Sequence, residues 1–419
     1  MKKEAILICL YAYFPFENAN TNVMLPLIKR LASTYEVHIL TENRDNSALK
    51  YEISNSGIII HRYRRLGKLA RNLQNLANLD KKKKRNLSKK FFINVLSPIA
   101  RLLDQSIWFT HPEYILIRKL MTKINFKFVI TTCASFYSHR NMLKYKKESL
   151  FTTPWIAYFM DPFAYYIGNR TTDGELLKLE CQVYEQADLI FVTEEIYKEN
   201  QNNAFSPYLY KTYPYRFGNF HCVDKPLKNN IFIAGKINCV YVGSLFSEQI
   251  RNPKYLYQMI NHIDDHFAFH IICNQISEAN KRAYKQIVKK TQNVFWYHNL
   301  PLEECLGIMC HADVLINLGN KSVNQTPSKV FDYIGTGNPI VNIYPLENDT
   351  SKHYLENYPL KLNIFESPEL LEENAQKFMV FARENLGKKI PAKQLQEEFA
   401  DFSSDRVTTE TINNINKIL

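Results

Sequence analysis

Short apolar runs alternate with longer polar-flanked stretches along this chain, and the alternation starts twice. In the first half, Ala5 to Leu10, Val37 to Leu40, Ile58 to His61, Lys127 to Thr131, Pro154 to Met160 and Asp188 to Thr193 read as buried strands. Helical spacing lies between several of them, at Val23 to Leu31 and about Glu175 to Ala187. A Tyr-, Pro- and Asn-rich segment, Tyr208 to Lys236, reads as a connection. The pattern then restarts. Strands are expected at Cys239 to Val242, Phe267 to Cys273, Val294 to Tyr297 and Asp313 to Leu318, and helices at Pro253 to Ile263, Lys281 to Lys290 and Pro301 to Cys310. Strands alternating with helices predict an α/β protein of doubly wound sheets. Two such halves predict two Rossmann-like domains facing a cleft, at residues 1–225 and 226–390. Residues 391–419 form a polar helical tail expected to return to the first domain.

The most informative stretch is NQTPSKVFDYIGTGNPIVNI, Asn324 to Ile343. Thr326 suits a helix N-cap and Pro327 the first helical position. Gly335 and Gly337 are expected to stop the helix before a second strand, Ile340 to Ile343. Lys329 falls in the first turn, where the macrodipole is already positive. Two readings stand side by side. Free backbone N–H groups, Ser328 and Lys329 form a diphosphate seat, with Asp332 one turn on accepting from vicinal hydroxyls such as those of a ribose. Alternatively, Lys329 and Asp332 are a solvated pair on an ordinary helix.

Composition narrows the setting. At 419 residues the chain can hold two full cores, and no apolar run approaches the 18 or so residues of a membrane span. The start, MKKEAILICLYAYF, is interrupted by Glu4 and lacks a small-residue cleavage site, so it reads as the first strand and not as a leader. None of the eight cysteines forms C-x-x-C, which argues for reduced thiols in the cytoplasm and against a zinc site. Much of the net charge of +12 lies between Arg62 and Lys90, including Lys81 to Arg85, within a poorly patterned insertion at 62–121. The basic run is followed by the apolar stretch Phe91 to Leu96. That juxtaposition over 62–96 suits an anionic membrane surface, and no nucleic-acid-binding signature accompanies it.

Ligands of open α/β sheets gather beyond the carboxyl ends of the strands. Ser135, His139 and Asp161 lie just past such ends in the first half, and Gly243 and Arg251 in the second. His139 reads either as a donor to a phosphate or sugar hydroxyl or as a helix-start residue bonding backbone. Asp161, before Pro162, reads either as a binding or catalytic carboxylate or as a turn former. The loop after the first strand has no G-x-G-x-x-G, so a dinucleotide site is not expected there.

Three segments together resemble the GT-B glycosyltransferases, and within them the retaining family 4 enzymes of bacterial surface polysaccharide assembly. These are WIAYFMDPF from Trp155 with ADLIFVT from Ala187, YVGSLFSEQIRNP from Tyr241, and PSKVFDYIGTGNP from Pro327. The last is the most specific. The resemblance implies a GT-B fold and transfer of a sugar from a nucleotide diphosphate sugar of UDP or GDP type. Arg251 and Lys329 would hold the donor diphosphate, Gly243 would admit it to the backbone, and Asp332 would hold the ribose. Asp161, with His139, would lie near the acceptor or the transferred sugar. The acceptor would be a polyprenyl-diphosphate-linked sugar or growing glycan at the inner membrane face. No D-x-D stands where a metal-dependent transferase would want it, so no metal or other cofactor is expected. Asn324 stands where the family pattern has an acid, and Met160 where it often has Arg. These departures keep two alternatives in view: a non-catalytic GT-B subunit that binds a partner transferase, and a nucleotide-sugar 2-epimerase.

Overall fold

The computed structural model describes residues 3–14, 19–43, 51–54, 56–64, 111–132, 136–149, 152–165, 174–216, 220–245, 250–273, 276–288, 292–298, 300–325 and 328–419. Nearly all of the basic stretch 62–96, as well as Ser135, Thr326 and Pro327, falls outside them. The described chain divides into two compact α/β units. One takes in the residues up to Ala164, those from helix Gly174–Gln186 to Tyr215, and the tail Thr408–Leu419; the other takes in Arg216–Val407.

The first unit is built on an eight-stranded sheet. Its strands are β1 (Ala5–Leu10), β2 (Glu36–Glu42), β3 (Tyr51–Ile53), β4 (Ile59–Tyr63), β5 (Phe126–Thr132), β6 (Trp155–Phe159), β7 (Leu189–Thr193) and β8 (Thr212–Tyr215). They lie in the order β3-β4-β2-β1-β5-β6-β7-β8, all parallel except β3. β1 shows why such strands read as unbroken apolar runs. Ala5, Leu7 and Cys9 pack into one core, while Ile6, Ile8 and Leu10 pack into another on the opposite face. Side chains alternate across a sheet covered on both sides, so every position must be apolar. Ile415, from the C-terminal helix Ser404–Asn416, joins the second of these cores.

One part of the first unit departs from the sequence reading, and another is made definite. Thr212–Tyr215, assigned to the connection, is the last strand of the sheet; it pairs with β7 on one side only, which accommodates Pro214. The end of the supposed insertion is the regular helix Pro112–Lys123, which leads directly into β5. His111 caps it, Pro112 opens it, and Tyr114, Ile117 and Leu120 are buried at successive turns.

The second unit has a six-stranded parallel sheet. Its strands are β9 (Ile237–Val242), β10 (Phe267–Ile272), β11 (Val294–Tyr297), β12 (Val314–Leu318), β13 (Ile340–Tyr344) and β14 (Lys361–Phe365), in the order β11-β10-β9-β12-β13-β14. The order reverses between β9 and β12, the switch point at which open α/β sheets bind ligands. Across β12, β13 and β14 the register aligns Asn317, Asn342 and Asn363. Their amides form a ladder: Asn317 Nδ2 donates to Asn342 Oδ1 at 2.7 Å, and Asn342 Nδ2 to Asn363 Oδ1 at 2.9 Å. Ser351 Oγ adds a third bond, to Asn342 Oδ1.

The helix between β12 and β13 runs Lys329–Thr336. Gly335 does not stop it. That glycine lies inside the helix because a Cβ there would come within 2.1 Å of the His221 carbonyl oxygen. Gly337 alone ends the helix, in the left-handed region at φ 77°. A Cβ on Gly337 would also stand 2.5 Å from the Ile390 carbonyl oxygen. Gly337→Ala combines backbone strain with this clash, and should cost upwards of about 1 kcal/mol of stability in chemical denaturation. A change within about 0.3 kcal/mol, the scatter expected between independent sites, would show that the segment at Ile390 gives way freely.

Candidate active site

β9 and β12 pair only through Cys239 with Val314 and Val240 with Leu315. Beyond that point the strands part, and the backbone groups of Val242 on that side have no strand to bond. The hydroxyl of Tyr333 takes their place. It accepts from the Val242 N–H at 2.8 Å and donates to the Val242 carbonyl at 3.1 Å. Tyr333 is fully buried on the helix Lys329–Thr336. One phenol thus fastens that helix to the end of β9, and burial raises its pKa far above the ordinary tyrosine range.

Gly243 follows immediately. A Cβ there would lie 2.6 Å from the Tyr241 hydroxyl and 3.5 Å from Arg251 Nη1, so the missing side chain makes room for both. Tyr241 donates to the Ser244 carbonyl at 3.2 Å; burial, against the pull of Arg251, pushes its pKa up to about 12. Arg251 is half-buried. Its Nε and Nη2 both donate to Asn320 Oδ1, at 3.1 and 2.8 Å. Asn320 in turn donates to the Gln325 carbonyl, and the Lys321 N–H bonds the Ile250 carbonyl. Among the described residues Arg251 has no carboxylate partner.

The loop after β12 is held from behind. Asp349 packs against Gly319, where a Cβ would meet its Oδ2 at 2.4 Å. Its Oδ1 caps the helix Thr350–Tyr354 by accepting from the Ser351 and Lys352 N–H groups. Burial raises the pKa of Asp349 despite those bonds. Asn324, on the same loop, is 4% exposed and accepts from Ser322 Oγ at 2.6 Å.

Ser328 occupies the N-cap of the helix Lys329–Thr336, but its side chain makes no capping bond. Lys329 Nζ lies 2.7 Å from Asp332 Oδ2, with the two side chains 30% and 19% exposed. The solvated-pair reading therefore describes this structure. It does not exclude the seat, because a half-exposed pair of this kind is worth at most about 1 kcal/mol and yields to a better anion.

In the first unit, Asp161 is half-buried two residues past β6. The next residues are fastened by Glu180, a carboxylate 2% exposed on the helix Gly174–Gln186. Glu180 Oε2 accepts from the Ala164 N–H at 2.7 Å, and the carboxylate also bonds the Phe163 amide. Burial pushes its pKa up to about 7 against those amides. Phe163 stacks on Phe136 with ring centroids 3.8 Å apart.

His139 is placed otherwise than a catalytic reading requires. It is fully buried, with Nδ1 2.7 Å from Thr131 Oγ1 and its ring 4.4 Å from that of Phe159. Trp155 Nε1 donates to the same threonine oxygen. Burial lowers the His139 pKa to about 3, so it is a neutral core residue here.

The structure thus brings Gly243, Arg251 and Asn320 into contact, and sets Lys329 and Asp332 on the helix that Tyr333 fastens beside them. Tyr241, Tyr333, Asn320 and Glu180 were not singled out from sequence. The spacing of Tyr333, four residues after Lys329 on a helix, places it on the buried face, but nothing in it shows that the hydroxyl would close a gap in a sheet. For Asn320 and Glu180 no local signal exists, because their partners are 69 and 16 residues away in the chain.

No protein-family model and no curated protein matches the sequence. Solved structures do. Sucrose-phosphate synthase from Thermosynechococcus elongatus aligns over 99% of both chains with a TM-score of 0.68 at 13% identity. Anabaena HepE in complex with UDP-glucose aligns over 99% of this chain and 100% of its own, at 0.66 and 9%. The lipopolysaccharide outer core galactosyltransferase WaaB, in its apo form, aligns over 99% and 100%, at 0.57 and 11%. At these identities the likeness is one of fold. The chain has the GT-B fold: two α/β units, each with a largely parallel sheet.

Tyr333→Phe keeps the ring and removes the hydroxyl. It leaves a buried N–H and C=O of Val242 without partners and should cost about 1–3 kcal/mol, read by urea denaturation. An unchanged midpoint would mean that water or a backbone shift satisfies Val242.

Proposed function

We propose that this protein is a glycosyltransferase that takes its sugar from a nucleotide diphosphate donor bound to the second unit. One observation carries the reading. At the point where β9 and β12 part, a half-buried guanidinium, Arg251, is held among the described residues by the Asn320 carboxamide and the Tyr241 hydroxyl. Beside it, through Tyr333, stands a helix whose first turn bears Ser328 and Lys329. A positive group with no acid bonded to it among the described residues, beside such a helix, favours an anion of the size of a diphosphate.

The chemistry follows from the charges. As the glycosidic bond to the diphosphate breaks, negative charge grows on the leaving oxygen. Arg251, Lys329 and the first-turn amides stabilise it where it develops. When Lys329 turns to the phosphate, the Asp332 carboxylate is released to accept from the ribose hydroxyls. Asn324, neutral where the family pattern has an acid, serves a sugar hydroxyl as a hydrogen-bonding group and not as a charge. The UDP and UDP-glucose named in the HepE structures support a UDP-type donor. In this reading Asp161 serves the acceptor or the reacting sugar, transfer proceeds with retention and without a metal, and the acceptor is a lipid-linked sugar or glycan. The basic stretch 62–96 supports attachment to an anionic membrane surface.

Calorimetry with UDP tests the seat. Arg251→Ala and Lys329→Ala should each weaken binding by about 1.5–3 kcal/mol, the range for hydrogen bonds to charged groups. Unchanged affinity in both would place the donor elsewhere. Turnover tests the other unit. Asp161→Asn should slow sugar transfer on the order of 10²-fold if the carboxylate moves a proton, with UDP affinity unaltered. Parental turnover would leave Asp161 a turn former. Free UDP that appears only with acceptor supports transfer; a new nucleotide sugar formed without acceptor supports epimerisation.

A further inference from the structure

The two basic side chains of the candidate seat are partnered in opposite ways. Lys329 rests on a carboxylate, that of Asp332. Arg251 rests on a carboxamide. Asn320, 2% exposed, uses a single oxygen to accept from both Nε and Nη2 of Arg251. Its own Nδ2 is committed to the Gln325 carbonyl at 2.9 Å, which fixes which way the amide points. The oxygen therefore faces the guanidinium and cannot flip away without breaking a bond. The loop bearing Asn320 is itself tied to the segment bearing Arg251 by the backbone bond from Lys321 to Ile250. Among the described residues the remaining hydrogen-bond partner of Arg251 is the neutral Tyr241 hydroxyl.

An aspartate would match the outline of Asn320 and bind the guanidinium more tightly. It would also neutralise it. We infer that Asn320 is a positioning residue of the donor site, one that aims the Arg251 guanidinium while leaving its charge uncompensated for the diphosphate. The inference rests on the donor reading above. It separates two properties that a merely structural contact would not: the direction of the guanidinium and the availability of its charge.

Asn320→Ala removes the aim and the tie to Gln325 together. Asn320→Asp loses the same tie, keeps an acceptor toward Arg251, and adds a negative charge. UDP titration calorimetry at low ionic strength, on the full chain, compares the two. Asn320→Ala should weaken UDP binding about 10-fold, and Asn320→Asp about 100-fold, since a charge-assisted hydrogen bond is worth roughly twice a neutral one. The gap between them should shrink as salt is raised. Asn320→Asp binding UDP as tightly as Asn320→Ala, or more tightly, overturns the inference, as does parental affinity in Asn320→Ala. Asn320→Ser, neutral and shorter, supplies a second variant should the aspartate chain not fold, and it should bind more weakly than the parent; parental affinity there also overturns the inference. Arg251→Ala run alongside tells the two failures apart. If Arg251→Ala and Lys329→Ala both bind UDP normally, the donor reading itself is wrong; if Arg251→Ala loses UDP while the Asn320 variants do not, only the role of Asn320 is.

Discussion

The second unit depends on how a parallel sheet ends where its strand order reverses. β9 and β12 part beyond Val240 and Leu315, and parting strips Val242 of its backbone partners on that side. A buried peptide N–H and C=O left alone would be costly. Tyr333 answers both with one hydroxyl. The same bond fixes where the helix Lys329–Thr336 begins relative to Gly243. The opening and the group that lines it are therefore one structural solution, and the positions of Ser328, Lys329 and Asp332 follow from it.

Within each unit, charge is distributed by burial. Carboxylates that are deeply enclosed, Glu180 and Asp349, are spent on backbone amides, one fastening the loop after Asp161 and the other the loop after β12. Asp332, in the first turn of the helix Lys329–Thr336, is partly exposed and shares its charge with Lys329. Arg251 is left with neutral neighbours among the described residues. Buried acids thus hold the frame, while the groups suited to a ligand stay closer to solvent.

Much of this was legible in the sequence because the physics that produced it is local. The strand Ala5–Leu10 was readable from end to end, since burial on both faces demands an unbroken apolar run. Gly337 was legible as a stop, because few residues besides glycine tolerate its backbone. Gly335 was misread for the complementary reason: its need comes from the carbonyl of His221, more than a hundred residues earlier, and no local pattern carries that. β8 was hidden by Pro214, which argues against a central strand but is harmless at an edge. His139 read as a site residue because a polar helix start after a strand is where ligands sit; its burial beneath Phe136 and Phe159 is a tertiary fact. Residues held by partners distant in the chain, Asn320 foremost, had no signal to read.

The asparagine ladder across β12, β13 and β14 has a consequence for how this sheet is assembled. β14, KLNIF, is short and weakly patterned, and its hydrophobic residues alone do not distinguish one alignment from a neighbour two residues away. Three amides in a row do. Asn317 and Asn342 are buried, and their amides complete these bonds only in this register, so a strand shifted along its partner leaves an amide stranded in the interior. The ladder works as a key cut for a single alignment: it ties the edge of the sheet to its centre through side chains as well as backbone.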